Sequence, residues 1–131
     1  MHLVIRFQFI YIKVYNLFVL QRQGNKKMEY VIISTTIDTE KAAKKLAADI
    51  VKRKLGACVH IHPITSIYTW NDKVYEEAEY KLQIKTTAKL SRKCQDFIID
   101  AHTYELPEIV ETEISDGSAQ YLRWIKDNTA F

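Results

Sequence analysis

An α+β fold is predicted for this chain of 131 residues. It has an antiparallel sheet of four strands, two helices on one face of that sheet, and a further helix at the C-terminal end. Three observations predict it. Strand-like and helix-like hydrophobic patterns alternate in the order β-α-β-β-α-β and then α. The two adjacent strand patterns are long and are joined only by "WNDK", a tight hairpin. The composition is that of one globular domain, 47% hydrophobic and 27% charged, with three glycines and two prolines.

The elements follow in order. "EYVIISTT" (residues 29–36) is a continuous β-rich run of the kind found in central strands. Asp38 is placed to cap the first helix, with Glu40 favourable in its first turn. Ala43, Leu46, Ala47, Ile50 and Val51 form the helix's apolar face, and Gly56 is read as its stop. "ACVHIHPITSIYTW" is the second strand, and Pro63 within it predicts an edge position or a bulge. Asn71 and Asp72 tolerate positive φ at the hairpin turn. On the return strand Val74, Ala78, Tyr80, Leu82 and Ile84 face one way, and Glu77, Glu79, Lys81, Gln83 and Lys85 the other. A second helix is predicted over about residues 90–101, a fourth strand after Pro107, and a closing helix capped by Ser118 with Tyr121, Leu122 and Ile125 as its stripe. This is the split βαβ, ferredoxin-like order. The long hairpin overshoots an ordinary strand of about six residues. Its bare edges invite another subunit, and Tyr68, Trp70 and Tyr75 near its tip suit an interface.

Residues 1–27 differ from the rest. They are apolar, with five Lys/Arg and no acid. Lys13 breaks the only long apolar run, no A-x-A site follows, and Arg6 and Lys13 both sit within any candidate span. Met28 begins a complete fold pattern. Residues 1–27 are therefore read as an extension arising from a misplaced start codon, as a targeting segment, or as a further strand that carries an aggregation hazard. Residues 28–131 form the domain. Of the chain's 19 Lys/Arg and 16 Asp/Glu, 14 and 16 fall in that domain, so it is slightly acidic. The cluster Lys52–Lys54 sits at a helix end, where cations suit the dipole. Nothing there points to nucleic acid. Cys58 and Cys94 lie far apart with no C-x-x-C and are read as buried thiols of a reducing compartment. The expected location is the cytoplasm, with no membrane span in the body and organelle targeting left open by residues 1–27.

"GACVHIHPITSIYTW", "AHTYELPEIV" and the run Gly117–Ile125 resemble the CutA divalent-cation tolerance family. Members of that family look like G-A-C-x-N-I-x-P-G-I-T-S-x-Y-x-W, then H-P-Y-E-x-P-E, then G-x-x-x-Y-L-x-W-I. The resemblance runs from Met28 to about Lys126. It implies a ferredoxin-like homotrimer related in architecture to the PII signalling proteins, with a role in response to metal ions and copper binding. His102 and Glu108 carry over as metal ligands, and Tyr104 and Glu105 match the motif around them. The chain departs from the pattern at several places. Ile64 stands where a glycine follows the proline, and Thr103 replaces the second proline. Ser34 stands where some members have a cysteine, and Ala101 where some have another histidine. With Ser34 and Ala101 in place of stronger ligands, copper binding is expected to be weak.

Other readings stand beside that one. His102 also ends the second helix, where an imidazolium suits the dipole. His60 and His62 are spaced i, i+2 and share one side of a strand; they suit a metal pair, though solvated or interface histidines are the plainer reading. Tyr68, Trp70, Tyr104 and Glu105 are expected at a ligand cleft or interface. The alternative function is a PII-like trimeric scaffold that binds a small ligand between subunits and has no metal role. There is no nucleophile with a matched base, no P-loop, no G-x-S-x-G and no G-x-G-x-x-G. The chain is therefore read as a non-enzyme, with copper the one candidate cofactor.

Overall fold

A computed structural model of the chain describes residues 28–130. The expectations for residues 1–27 fall outside the described residues. The described elements are β1 (Tyr30–Ile37), α1 (Glu40–Lys52), β2 (Cys58–Trp70), β3 (Lys73–Thr87), α2 (Ser91–Ala101), β4 (Val110–Glu113) and α3 (Ala119–Asp127). A 3-10 turn at Ala88–Leu90 leads into α2. The strand order is β2-β3-β1-β4, with every neighbour antiparallel. This is the split βαβ arrangement.

Alternation along the central strands builds the core. Val31, Ile33 and Ile37 of β1 and Leu82 and Ile84 of β3 point to one face and are buried there. The α1 stripe (Ala43, Leu46, Ala47, Ile50) and the α2 stripe (Cys94, Ile98) close over them in one cluster. Burial pushes the Cys94 thiol up to about 12, so it stays protonated. Cys58 is different. It pairs with Lys85 on the face opposite Ile84, and is only half-buried. Val51 also departs from the expected stripe and is exposed. Ile125 of α3 is fully buried but lies outside the main cluster, and the Lys85 ammonium sits 5.5 Å from the centre of the neighbouring Tyr121 ring.

Local chemistry decides the ends of α1. Thr39, not Asp38, is the N-cap, and its Oγ1 accepts from Ala42 N at 3.1 Å. At the other end Lys54 takes the left-handed conformation (φ 58°), so Gly56 is not the stop. Gly56 serves another purpose. A Cβ there would lie 2.5 Å from Ile84 Cγ2 and 3.0 Å from Ile50 Cγ2, so the chain packs this closely against the core only without a side chain.

The hairpin turns at Asn71 and Asp72, both at positive φ (49° and 62°), as a two-residue primed turn requires. Pro63 sits on the outermost strand and stays in register opposite Tyr80, with no bulge. β1 pairs with β3 only from Tyr80 to Thr87, so Lys73–Glu79 and the matching part of β2 project beyond the sheet. At about 3.4 Å per residue that ribbon reaches roughly 24 Å. Val74, expected on the core-facing side, is largely exposed because none of the described helices covers the ribbon. β4 is shorter than its sequence pattern. Its ladder to β1 runs only from Val110 to Glu113, because Pro107 lacks a donor and the chain before Val110 bends across the sheet end as a loop.

Candidate functional site

The projecting ribbon and the loop 104–109 bound a concave cleft of about 1060 Å³. β1 supplies its floor at Thr36, the ribbon supplies Tyr68, Trp70, Glu77 and Glu79, and the loop supplies Tyr104, Glu105 and Glu108. Tyr68, Trp70, Tyr104, Glu105 and Glu108, far apart in sequence, therefore line one cavity. His102 stands behind it, at the C-terminal end of α2.

Hydrogen bonds lock this corner. His102 caps α2 in an extended conformation. Its Nδ1 accepts from Tyr104 N at 3.0 Å, and its Nε2 lies 2.8 Å from Thr36 O. A carbonyl can only accept, so the ring donates from Nε2 and keeps its lone pair on Nδ1 for the amide. That is a neutral tautomer. It replaces the imidazolium expected at the helix end, because β1 presents an acceptor and the turn presents a donor. The Tyr104 ring packs on the imidazole with centres 4.7 Å apart.

Tyr104 then reaches across the cleft, and its Oη donates to Glu79 Oε2 at 2.9 Å. Burial, and next the bond to Glu79, hold the Tyr104 hydroxyl well above the usual phenol range. Glu79 was expected on a solvated face. Its side is as expected, but Tyr104 and the loop cover it, leaving it 7% exposed. Alternation gives the side a residue faces and not what a distant loop lays over it. On the outer ribbon Tyr68 Oη donates to Glu77 Oε2 at 2.8 Å, which pushes the phenol up to about 12. The Tyr68 and Tyr75 rings stack at 5.7 Å.

Five carboxylates (Asp38, Glu77, Glu79, Glu105, Glu108) and one lysine (Lys81) line the cleft. Such a wall attracts cations. It is not a ready-made cage. Among the described residues no three His, Cys, Asp or Glu side chains stand together as a metal site. In the geometry described, neither ring nitrogen of His102 is free, so a metal takes that ring only by displacing one of its two bonds. Ser34, on β1 opposite Gln83 and Val110, is buried and does not line the cleft.

The family model for CutA1 divalent ion tolerance protein matches residues 31–128. The chain belongs to this family. The CutA1 match takes in every helix and almost all of the described sheet, including both strands of the ribbon and the loop that closes the cleft. A probable divalent-cation tolerance protein cutA homolog of Encephalitozoon cuniculi is 41% identical over 71% of this chain and 82% of its own length. The chloroplastic CutA of Arabidopsis thaliana is 35% identical over 89% of this chain, which spans 65% of that relative. Among solved structures, CutA1 from the psychrotrophic bacterium Shewanella sp. SIB1 superposes with a TM-score of 0.77 at 36% identity, covering 81% of this chain and all of that one. Among the described residues no helix is long and apolar enough to cross a membrane.

Proposed function

We propose that the protein is a trimeric, non-enzymatic divalent-cation tolerance protein of the cytoplasm or an organelle, and that it binds copper(II) weakly through His102 with an oxygen from Glu108. The observation that carries this reading is the family match across residues 31–128. The acidic lining of the cleft supports a cationic ligand. The edges of β2 and β4, open among the described residues, support assembly, since edge pairing between copies closes into a ring under cyclic symmetry. Weak affinity follows from the cost of freeing the His102 ring. Giving up one hydrogen bond costs about 0.5–1.5 kcal/mol, and Ser34 and Ala101 bring no soft donor in return.

The test is calorimetric titration of copper(II) into the wild type beside His102→Ala and Glu108→Ala. Loss of binding in the first variant and partial loss in the second are expected. Unchanged binding in His102→Ala would remove this site from consideration. A PII-like scaffold with no metal role is the second reading, favoured by the size of the cleft. A small molecule bound there by the native state raises the melting temperature in a ligand screen, because such binding adds to stability.

A further inference from the structure

The register sets a second group of donors apart from the cleft. Cys58, His60 and His62 lie at alternate positions of β2 and so share one face, opposite Lys85, Gln83 and Lys81 of β3. His60 and His62 are both exposed, and among the described residues neither takes part in any side-chain hydrogen bond or ion pair. Their rings stand edge to face with centres 6.3 Å apart. The contrast with His102 is direct, since both nitrogens of that ring are taken.

We propose that His60 and His62 form a two-imidazole chelate for a divalent first-row metal ion of the imidazole-preferring kind, such as copper(II), nickel(II) or zinc(II). With metal–nitrogen bonds of about 2.0–2.1 Å, a shared ion sets two ring centres roughly 5 Å apart in a tetrahedral site and about 6.4 Å apart when trans. The observed spacing lies at the wide end of that range, and exposed rings on a strand close the difference by rotating their side chains. The strand fixes the two backbones, so little freedom is lost when both rings bind. Two donors leave the remaining positions to water, in keeping with the lack of a third close ligand. Lys81, paired with His62, and Lys85, diagonal to His60, are the cations of this face that oppose binding. Their long side chains can swing away. Gln83, facing His60, is neutral. The chelate needs both rings unprotonated, so binding weakens in acid.

The experiment is a zinc chloride titration of the full chain, following the imidazole resonances of its four histidines. His60 and His62 should shift together along one isotherm, at lower zinc than His102. His60→Gln and His62→Gln should each weaken that isotherm at least tenfold, and His102→Gln should leave it in place. Melting curves check that each variant is folded; the two β2 rings are exposed, so no loss of fold is expected. Zinc affinity unchanged in the His60→Gln, His62→Gln double variant would overturn the proposal. So would an isotherm lost only in His102→Gln, which would instead support the site behind the cleft.

Discussion

At Gly56 the chain has no room for a side chain, and this can be measured. Gly56→Ala sets a methyl 2.5 Å from Ile84 Cγ2, in a core where both Ile84 and Ile50 are fully buried. The expected loss is about 1–3 kcal/mol, read from urea unfolding. The opposite sign is expected at Thr35. It is fully buried, and its Oγ1 is the one buried side-chain polar atom among the described residues with no hydrogen-bond partner. Thr35→Val removes that atom at nearly constant volume and should add about 1–2 kcal/mol. Equal or lower stability would mean that the hydroxyl has a partner in solution. At this scale the sequence was only partly legible. The glycine was visible, but its role was read from local rules as a helix stop. Lys54 takes the left-handed turn instead, and the crowding by Ile84 is a long-range fact with no local signature.

Element patterns were far easier to read. Alternation in β1 and β3 and the 3.6-residue period in α1 and α2 placed nearly the whole core, because each face is set by short-range geometry. The Asn71–Asp72 turn was legible for the same reason. What failed was extent. β4 came out at four residues, since a strand's length depends on the partner it finds and not on its own apolar run. The candidate cleft was half visible: its aromatic residues and the loop carboxylates stood out, but Glu79 did not. Two tyrosine–carboxylate bonds, Tyr104 to Glu79 between loop and ribbon and Tyr68 to Glu77 within the ribbon, give an alkaline prediction. Tyr68 and Tyr104 hold raised pKa values in the folded chain, against an ordinary value of 10.0. A raised value favours the neutral phenol, so its contribution is fully present below pH 10 and is lost as pH rises from there. Stability should therefore fall above about pH 10, and Tyr104→Phe should flatten that fall in thermal melts recorded across the range. An unchanged slope would show that Tyr104 is not held by Glu79.

On the scale of the molecule, the arrangement of edges matters most. Among the described residues the sheet ends in two unpaired strands, and the long ribbon carries Ile67, Tyr68, Trp70 and Val74 exposed beyond it. Such a surface is costly to leave in water. A chain shortened to residues 28–131 should run as three copies per particle in light scattering. Its melting temperature should be about that of the full chain, because all four strands of the sheet lie within the described residues. A monomer at micromolar concentration would sink the trimer. A large loss of stability would make residues 1–27 an integral part of the fold. The overall topology was legible because the order of elements and the single tight turn leave few ways to connect four antiparallel strands.

The same ribbon sets the order in which the chain folds. Trp70 meets Lys73 across a two-residue turn, so β2 and β3 can zip together from the tip with little entropy lost to loop closure. β1 must find β3 from the far side of α1 and β2, where Tyr30 meets Thr87, and β4 must return still further to reach Val31. Those distant closures are slow, as in other topologies of high contact order. The hairpin is therefore expected to pair before the rest of the sheet closes onto its base. During that interval a dense solution of nascent chains is most exposed to mispairing, ribbon against ribbon. Less aggregate is therefore expected when the unfolded chain is refolded dilute than when it is refolded concentrated.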